Sequence, residues 1–173
     1  GLDIKLKEFK FNYGCRVGPI KGITWFFEEN EYGVVLEDDV ILSKKCIEVF
    51  SLLLEKHFYN QEIMSLSSFN EFTNEKIESL YEIPVWRSWG WASWAHKWER
   101  HVDFSKKIRH LNMWELYNLM PKDFRSIETV QLVKASQLNL LDAWDYEFNF
   151  SHLVNMKKSL TIGGINSLVY GFD

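Results

Sequence analysis

The sequence has little cysteine, little net charge and no long apolar run. Its two cysteines, Cys15 and Cys46, are too few for a disulfide scaffold and lack the CxxC spacing of a zinc or redox site. We therefore expect free thiols and a cytoplasmic location. The net charge is −4, and neither half is strongly basic, which argues against nucleic acid as a partner. No stretch approaches the ~20 apolar residues of a membrane span, so we expect no transmembrane segment.

The signatures of several enzyme classes are missing as well. The chain contains no GxGxxG, no Walker loop and no Gly-x-Ser-x-Gly elbow, and its five histidines are scattered without the HExxH spacing of a zinc site. Dinucleotide enzymes, P-loop enzymes and hydrolases are therefore disfavoured. The chain opens without a signal peptide and with Gly rather than Met, so we expect it to be part of a longer protein.

Aromatic residues are abundant, at 16% of 173 residues, and the hydrophobic share of 46% predicts one globular domain over residues 1–173. Five of the eight tryptophans lie between Trp86 and Trp98. Residues 91, 94 and 98 have helical spacing, which favours a helix in the core. The alternative is a flat apolar wall for a sugar at residues 89–91, where Gly90 would permit close backbone approach.

The hydrophobic pattern predicts alternating strands and helices in the first half. We expect an edge strand over residues 2–11, a helix with Pro19 in its first turn that ends at Asn30, a strand at 34–36, a helix capped by Ser43 and a strand at 63–67. This order favours an α/β layer with parallel strands. The second half is mostly helical in pattern, with predicted helices at 91–98, 113–120, 123–138 and 142–156 before a strand at 160–162.

Three consecutive carboxylates, Glu37, Asp38 and Asp39, directly follow the predicted strand at 34–36. Like charges this close repel one another, and a divalent cation such as Mg²⁺ or Mn²⁺ offsets the repulsion. The carboxyl ends of strands are also where open α/β sheets bind ligands. The alternative is a solvated acidic turn, which is common on protein surfaces.

The segment Leu36–Val40, with residues 25–30 before it and a helix after it, resembles the metal-binding segment of GT-A fold glycosyltransferases. It is most similar to bacterial sugar transferases related to the N-acetylglucosaminyltransferase I group, in which Glu-Asp-Asp stands in for Asp-X-Asp. Three further segments resemble the family in the same order: Asn-Tyr-Gly-Cys at 12–15, Trp-Gly-Trp-Ala-Ser-Trp at 89–94 and Ala-Trp-Asp-Tyr-Glu-Phe at 143–148. The resemblance extends from about residue 12 to the end.

The resemblance implies a GT-A-like α/β fold, with a mainly parallel sheet and flanking helices. It also implies metal-dependent, inverting transfer of a sugar from a nucleotide-diphosphate sugar to a glycan or lipid-linked acceptor, in bacterial surface polysaccharide synthesis. Such an enzyme would be cytoplasmic or peripheral to the inner membrane. Only about a dozen residues precede Cys15, so part of the family's N-terminal nucleotide-binding unit is expected to be missing. We expect the fold to be kept and donor binding or turnover by these residues alone to be weak.

The resemblance also implies roles for the acidic residues. Asp39 matches the residue that contacts Mn²⁺ or Mg²⁺ and, through it, the diphosphate. Glu37 and Asp38 match positions near the ribose and the donor sugar. Asp145 matches the general base that removes the proton from the acceptor hydroxyl, and Glu147 is the alternative base.

Three further residues are candidates for donor binding. Gly90 and Trp91 are expected to line the donor pocket, and Arg87 has a guanidinium that suits diphosphate oxygens. A lone Arg beside aromatic residues is equally often a stacked surface cation, and the tryptophans are more often core than site.

The pattern around Asp145 also permits a structural interpretation. On a helix, Asp145, Asn149 and His152 share one face, and such a polar stripe is usually solvated surface. Asp142 is an equally suitable cap for that helix.

Two other functions remain open for the chain. One is a non-catalytic carbohydrate-binding module that uses the tryptophans for stacking, and the other is a metal-dependent phosphohydrolase that uses the same acidic residues.

Overall fold

A computed structural model describes residues 3–69, 79–163 and 167–169. The helices are α1 (Gly14–Glu29), α2 (Lys44–Lys56), α3 (Ala95–Ile108), α4 (Met113–Leu119), α5 (Ile127–Gln137) and α6 (Asp145–Val154). The strands are β1 (Tyr32–Val35), β2 (Val40–Leu42), β3 (Ile63–Ser67), β4 (Leu80–Ile83), β5 (Trp91–Trp94), β6 (Lys158–Ile162) and β7 (Ser167–Val169). The α/β class is therefore confirmed.

Five strands form one mixed sheet in the order β1-β5-β3-β6-β4, and β2 pairs with β7 in a separate antiparallel ribbon. Within the larger sheet only β3 and β6 pair in parallel, whereas β1/β5, β3/β5 and β4/β6 are antiparallel. The expectation of a mainly parallel sheet is wrong. The strand–helix–strand order suggested that β1 and β3 are neighbours, but β5 lies between them and runs against both.

The segment Trp91–Trp94 is a strand, and the helix predicted for 91–98 begins only at Ala95. All four residues of β5 are buried, because the strand is hydrogen-bonded on both edges and covered on both faces. Trp91 packs in an aromatic cluster on one face, whereas Ala92 and Trp94 pack on the other. A strand covered in this way is mostly apolar and lacks the alternation that identifies a half-buried strand; its one polar residue, Ser93, donates a hydrogen bond to the Met64 carbonyl oxygen.

The first half agrees with the prediction for β1, α2 and β3, but not for residues 2–11, for the position of Pro19 in the first helical turn, or for strand β2, which was not predicted. Residues 3–13 are exposed and have no regular secondary structure, so the edge strand predicted for 2–11 is wrong over the described part of that range. Helix α1 begins at Gly14, and Pro19 lies within it. The predicted cap of α2 is confirmed, because the Ser43 hydroxyl accepts a hydrogen bond of 3.1 Å from the Cys46 N–H.

Helices cover both faces of the sheet. Helix α2 packs on one face, where Phe50 and Leu54 contact a cluster that includes Leu66 and Trp94. On the other face, α1, α3 and α6 surround a cluster of mostly aromatic side chains: Ile23, Phe27, Met64, Trp86, Trp91, Trp98, Trp144 and Phe148. A third cluster joins α3, α4, α5 and α6. Within the described residues, no helix has the length and apolar character required to cross a bilayer.

The two cysteines are unpaired, as expected; Cys15 is exposed and Cys46 is buried.

In the second half, the predicted helix at 113–120 is confirmed as α4. The segment predicted as one helix over 123–138 is divided into a 3₁₀ turn at Lys122–Phe124 and helix α5. Helix α6 begins at Asp145, three residues later than predicted.

Candidate active site

The chain segments that follow β1, precede β5 and precede α6 meet α1 around an open cavity of about 830 Å³. Five carboxylates line it, namely Glu37, Asp38, Asp39, Asp142 and Asp145. No Lys, Arg or His is among the described lining residues. A cavity with this charge attracts cations and repels a bare diphosphate.

The acidic triplet enters this cavity immediately after β1. Glu37 and Asp39 are half-buried, and Asp38 is exposed. The pKa of Glu37 is raised, first by burial and then by the negative charges of Asp39, Asp145 and Asp38, against a hydrogen bond from Ser88. Asp145 thus lies close enough to the triplet to act on it electrostatically, although about a hundred residues separate them in sequence.

Asp39 has a carboxylate oxygen that suits a cation. Its Oδ1 atom is buried and has no hydrogen-bond partner among the described residues. A buried polar atom without a partner is costly, and a bound cation would remove that cost. No three His, Cys, Asp or Glu side chains of the described chain are grouped to hold a metal by themselves. Mg²⁺, however, usually takes only one or two carboxylates, with the remaining ligands from water and substrate phosphates.

Asp145 is the first residue of α6, where its carboxylate interacts with the backbone N–H groups of residues 145 and 146. Burial is the largest influence on the pKa of Asp145 and raises it, whereas those hydrogen bonds and the positive charge of Arg87 act in the opposite direction. A carboxylate with a raised pKa is a stronger base than an exposed one. Arg87 is not among the cavity-lining residues, but its charge reaches Asp145.

Glu147 lies elsewhere. Its side chain is 1% exposed and forms an ion pair of 3.1 Å with Arg16, and its second oxygen accepts a hydrogen bond from Ser105. It does not line the cavity. The interpretation of Glu147 as an alternative base is therefore corrected. In the protein interior, Arg16 neutralises the charge of this carboxylate and Ser105 donates a hydrogen bond to it.

Asp142 has a role that the sequence did not predict. Its two carboxylate oxygens accept hydrogen bonds from the backbone N–H groups of Cys15 and Arg16, at 2.9 and 2.7 Å, across 127 and 126 residues of sequence. It therefore caps α1 rather than α6. The available signal was the start of α1, which has no acidic residue in its first turn and no side-chain cap from Tyr13, so its N–H groups need an acceptor from elsewhere.

The tryptophan segment contributes differently from the expectation. Trp91 is among the residues that line the cavity, but it is fully buried and presents no exposed ring face for a sugar to stack on. Trp89 is 37% exposed at the rim, with its ring centroid 4.6 Å from that of Phe69. Gly90 does not line the cavity; it has φ +72°, and a Cβ there would lie 2.6 Å from the Ser68 hydroxyl. Gly90 is required by tight packing and by its backbone conformation.

The remaining members of the polar stripe on α6 are not solvated surface. His152 is fully buried, with Nε2 2.9 Å from the Ser65 hydroxyl and Nδ1 2.9 Å from the Phe148 carbonyl oxygen. The Asn149 side-chain oxygen accepts a hydrogen bond of 2.8 Å from the Trp86 N–H. These contacts fix α6 against the sheet and thereby position Asp145 at the cavity.

Comparison of the chain with known proteins gives no further assignment of this site. No family model and no curated protein matches the sequence.

Proposed function

We propose that this chain is a GT-A-like, metal-dependent inverting glycosyltransferase domain. It would transfer a sugar from a nucleotide-diphosphate sugar to a hydroxyl of a glycan or lipid-linked acceptor, in bacterial surface polysaccharide synthesis. The observation that carries the proposal is that Asp39 and Asp145, chosen from separate sequence segments, line one cavity. The sequence resemblance supports the same assignment.

The charge of the cavity supports a requirement for metal. Five carboxylates line the cavity and no basic residue is among its described lining, so the cavity would repel a nucleotide diphosphate and the donor needs a cation to bind there. Asp39, with its unpartnered buried oxygen, would hold Mn²⁺ or Mg²⁺. Such a cation supplies Lewis-acid stabilisation of the charge on the departing diphosphate. Glu37 and Asp38 also line the cavity and would accept hydrogen bonds from hydroxyl groups of the donor.

Asp145 would act as the general base. The acceptor oxygen forms a bond to the anomeric carbon while the bond from that carbon to the diphosphate oxygen breaks, and the acceptor proton moves to the Asp145 carboxylate. Attack from the face opposite the diphosphate inverts the configuration and needs no covalent enzyme intermediate. The raised pKa of Asp145 favours this role, and turnover should rise with pH as that carboxyl group loses its proton.

Calorimetric titration with UDP- and GDP-sugars, in Mn²⁺ and in EDTA, tests the donor site. We expect Mn²⁺-dependent binding that weakens at least tenfold in Asp39→Asn and is unchanged in Asp123→Asn, a matched control whose exposed carboxylate lines neither large cavity. In a transfer assay, Asp145→Asn should keep donor binding and lose roughly 10²- to 10⁴-fold in kcat. Donor binding without metal, or equal affinity in Asp39→Asn, would contradict the proposal.

The exposed face of Trp89 favours a second candidate, a non-catalytic carbohydrate-binding module. It predicts binding of glycans without nucleotide, and loss of that binding in Trp89→Ala. Release of phosphate from a generic phosphoester would instead favour a metal phosphohydrolase that uses the same acids.

A further inference from the structure

A second cavity, of about 320 Å³, lies between α3, the start of β3 and the end of α6. It shares no lining residue with the candidate active site. Its volume is at the lower end of the range for small-molecule sites. Met64 and Ser151 form part of its buried lining, and the rim is exposed.

Four cationic side chains line this cavity: Lys97, Arg100, Lys107 and Lys157. Three of them come from α3 at positions 97, 100 and 107, a spacing that places them along one helix face. Lys157 comes from the turn after α6. Among the described lining residues the one carboxylate is that of Asp103, whose Oδ1 accepts a hydrogen bond from Lys106, outside the cavity. In a chain with net charge −4, this is a local excess of positive charge.

Burial and mutual repulsion make it costly in free energy to bring these four cationic side chains together. Lys97 is only 3% exposed; its Nζ donates to the His57 carbonyl oxygen at 3.1 Å and lies 3.3 Å from the centroid of the Trp94 ring. The pKa of Lys97 is lowered to about 7 by burial and then by the charges of Arg100 and Lys157. An anion in the cavity would offset this repulsion.

Within the described residues, a protein carboxylate supplies that negative charge only for Lys157. Lys157 forms an ion pair of 3.4 Å with Glu62, which is 66% exposed and outside the cavity lining. Arg100 donates to the neutral amide of Gln61. Within the described part of the chain, neither Arg100 nor Lys107 forms an ion pair with a carboxylate. These two cations remain available to an external ligand.

We propose that this cavity binds a small soluble phosphorylated molecule, whose phosphate group contacts Arg100, Lys107 and Lys157. A guanidinium and two ammonium groups suit the oxygens of a phosphate monoester. Ser151 and Asn155, one turn apart on α6 and just after it, add neutral hydrogen-bonding groups, and Phe104 adds an apolar surface for the carbon skeleton. The site is independent of the donor site and of the proposed transfer reaction.

Calorimetric titration with inorganic phosphate and with glucose 1-phosphate, in EDTA to exclude metal-bridged binding, tests this site. We expect saturable binding of glucose 1-phosphate that weakens roughly tenfold or more in the double variant Arg100→Gln/Lys107→Gln. The matched control Arg109→Gln/Lys122→Gln removes one guanidinium and one ammonium group that are exposed and outside the cavity lining, and it should bind as the unsubstituted protein does. The substitution Asp39→Asn should leave this binding unchanged, which separates it from the donor site.

Three results would overturn the proposal. They are the absence of saturable binding, equal weakening in the double variant and its control, and binding to vesicles with phosphatidic acid without binding of either soluble phosphate. The substituted rim residues are exposed. A circular dichroism spectrum and urea midpoint that match the unsubstituted protein will show that the variant is folded.

Discussion

The buried pair of Arg16 and Glu147 allows a direct test of the structural role of Glu147. The side chains are 9% and 1% exposed, and the contact joins the start of α1 to α6. Arg16 also donates to the Asn139 side chain at 3.1 Å. Removal of one partner from a buried pair leaves a charge without compensation and costs about 3–5 kcal/mol. We therefore expect Glu147→Gln and Arg16→Met each to lower the free energy of unfolding by about that amount.

The double variant Arg16→Met/Glu147→Gln should be less destabilised than the sum of the two single variants, by about 2 kcal/mol or more, since neither charge is then left alone. Urea unfolding followed by circular dichroism measures all four proteins of this cycle. The exposed pair Lys106–Asp103 is the control, and its cycle should show little coupling. Additive costs for Arg16 and Glu147, or a cost below about 1 kcal/mol for Glu147→Gln, would refute the reasoning.

Two further predictions concern stability. Gly90→Ala should lower the free energy of unfolding by about 2 kcal/mol or more, because the φ of Gly90 is +72° and the new Cβ would lie 2.6 Å from the Ser68 hydroxyl. The control Gly22→Ala, whose new Cβ would have no atom within 4 Å, should have no such cost in the same urea assay. Burial lowers the pKa of His152 to about 4 and that of His101 to about 3, below the ordinary 6.5. The unfolded chain therefore takes up protons first, so stability should be full above pH 6.5 and fall by about 3 kcal/mol for His152 alone as the pH drops to 4. Urea midpoints that stay constant between pH 6.5 and pH 4 would contradict this predicted loss of stability.

Local signals in the sequence were sufficient to predict an element whose structure depends mainly on its own residues. Helix α2 follows from Ser43 and an apolar stripe, and the structure has both. The tryptophans show the limit of this approach. Residues 91, 94 and 98 fit a helical period, but Trp91–Trp94 is a strand buried on both faces. Four buried residues of which three are apolar carry no periodicity that separates strand from helix.

Strand direction could not be predicted because it depends on partners far away in sequence. Tyr32 pairs with Trp94, and this contact places β5 between β1 and β3.

The direction of the Glu147 side chain relative to that of Asp145, in contrast, could have been predicted from the sequence. On a helix, positions i and i+2 point to different faces, so a carboxylate at 147 could not share the cavity with Asp145.

The sequence resemblance selected Asp39 and Asp145, and the fold brings both to one cavity. That resemblance depends on short segments in a fixed order and says nothing of the packing between them. The cationic cavity beside α3 escaped prediction for the same reason, since Lys157 joins Lys97 and Arg100 only in three dimensions.

The hydrogen bonds between Asp142 and the first turn of α1 join residues that are synthesised far apart in time. During translation, the N–H groups of Cys15 and Arg16 wait for more than a hundred residues before their acceptor is synthesised. The wall of the cavity therefore closes late, after α2 and β3 have been made. A nascent chain stalled before residue 142 would have the acidic triplet without the enclosure that surrounds it in the finished molecule.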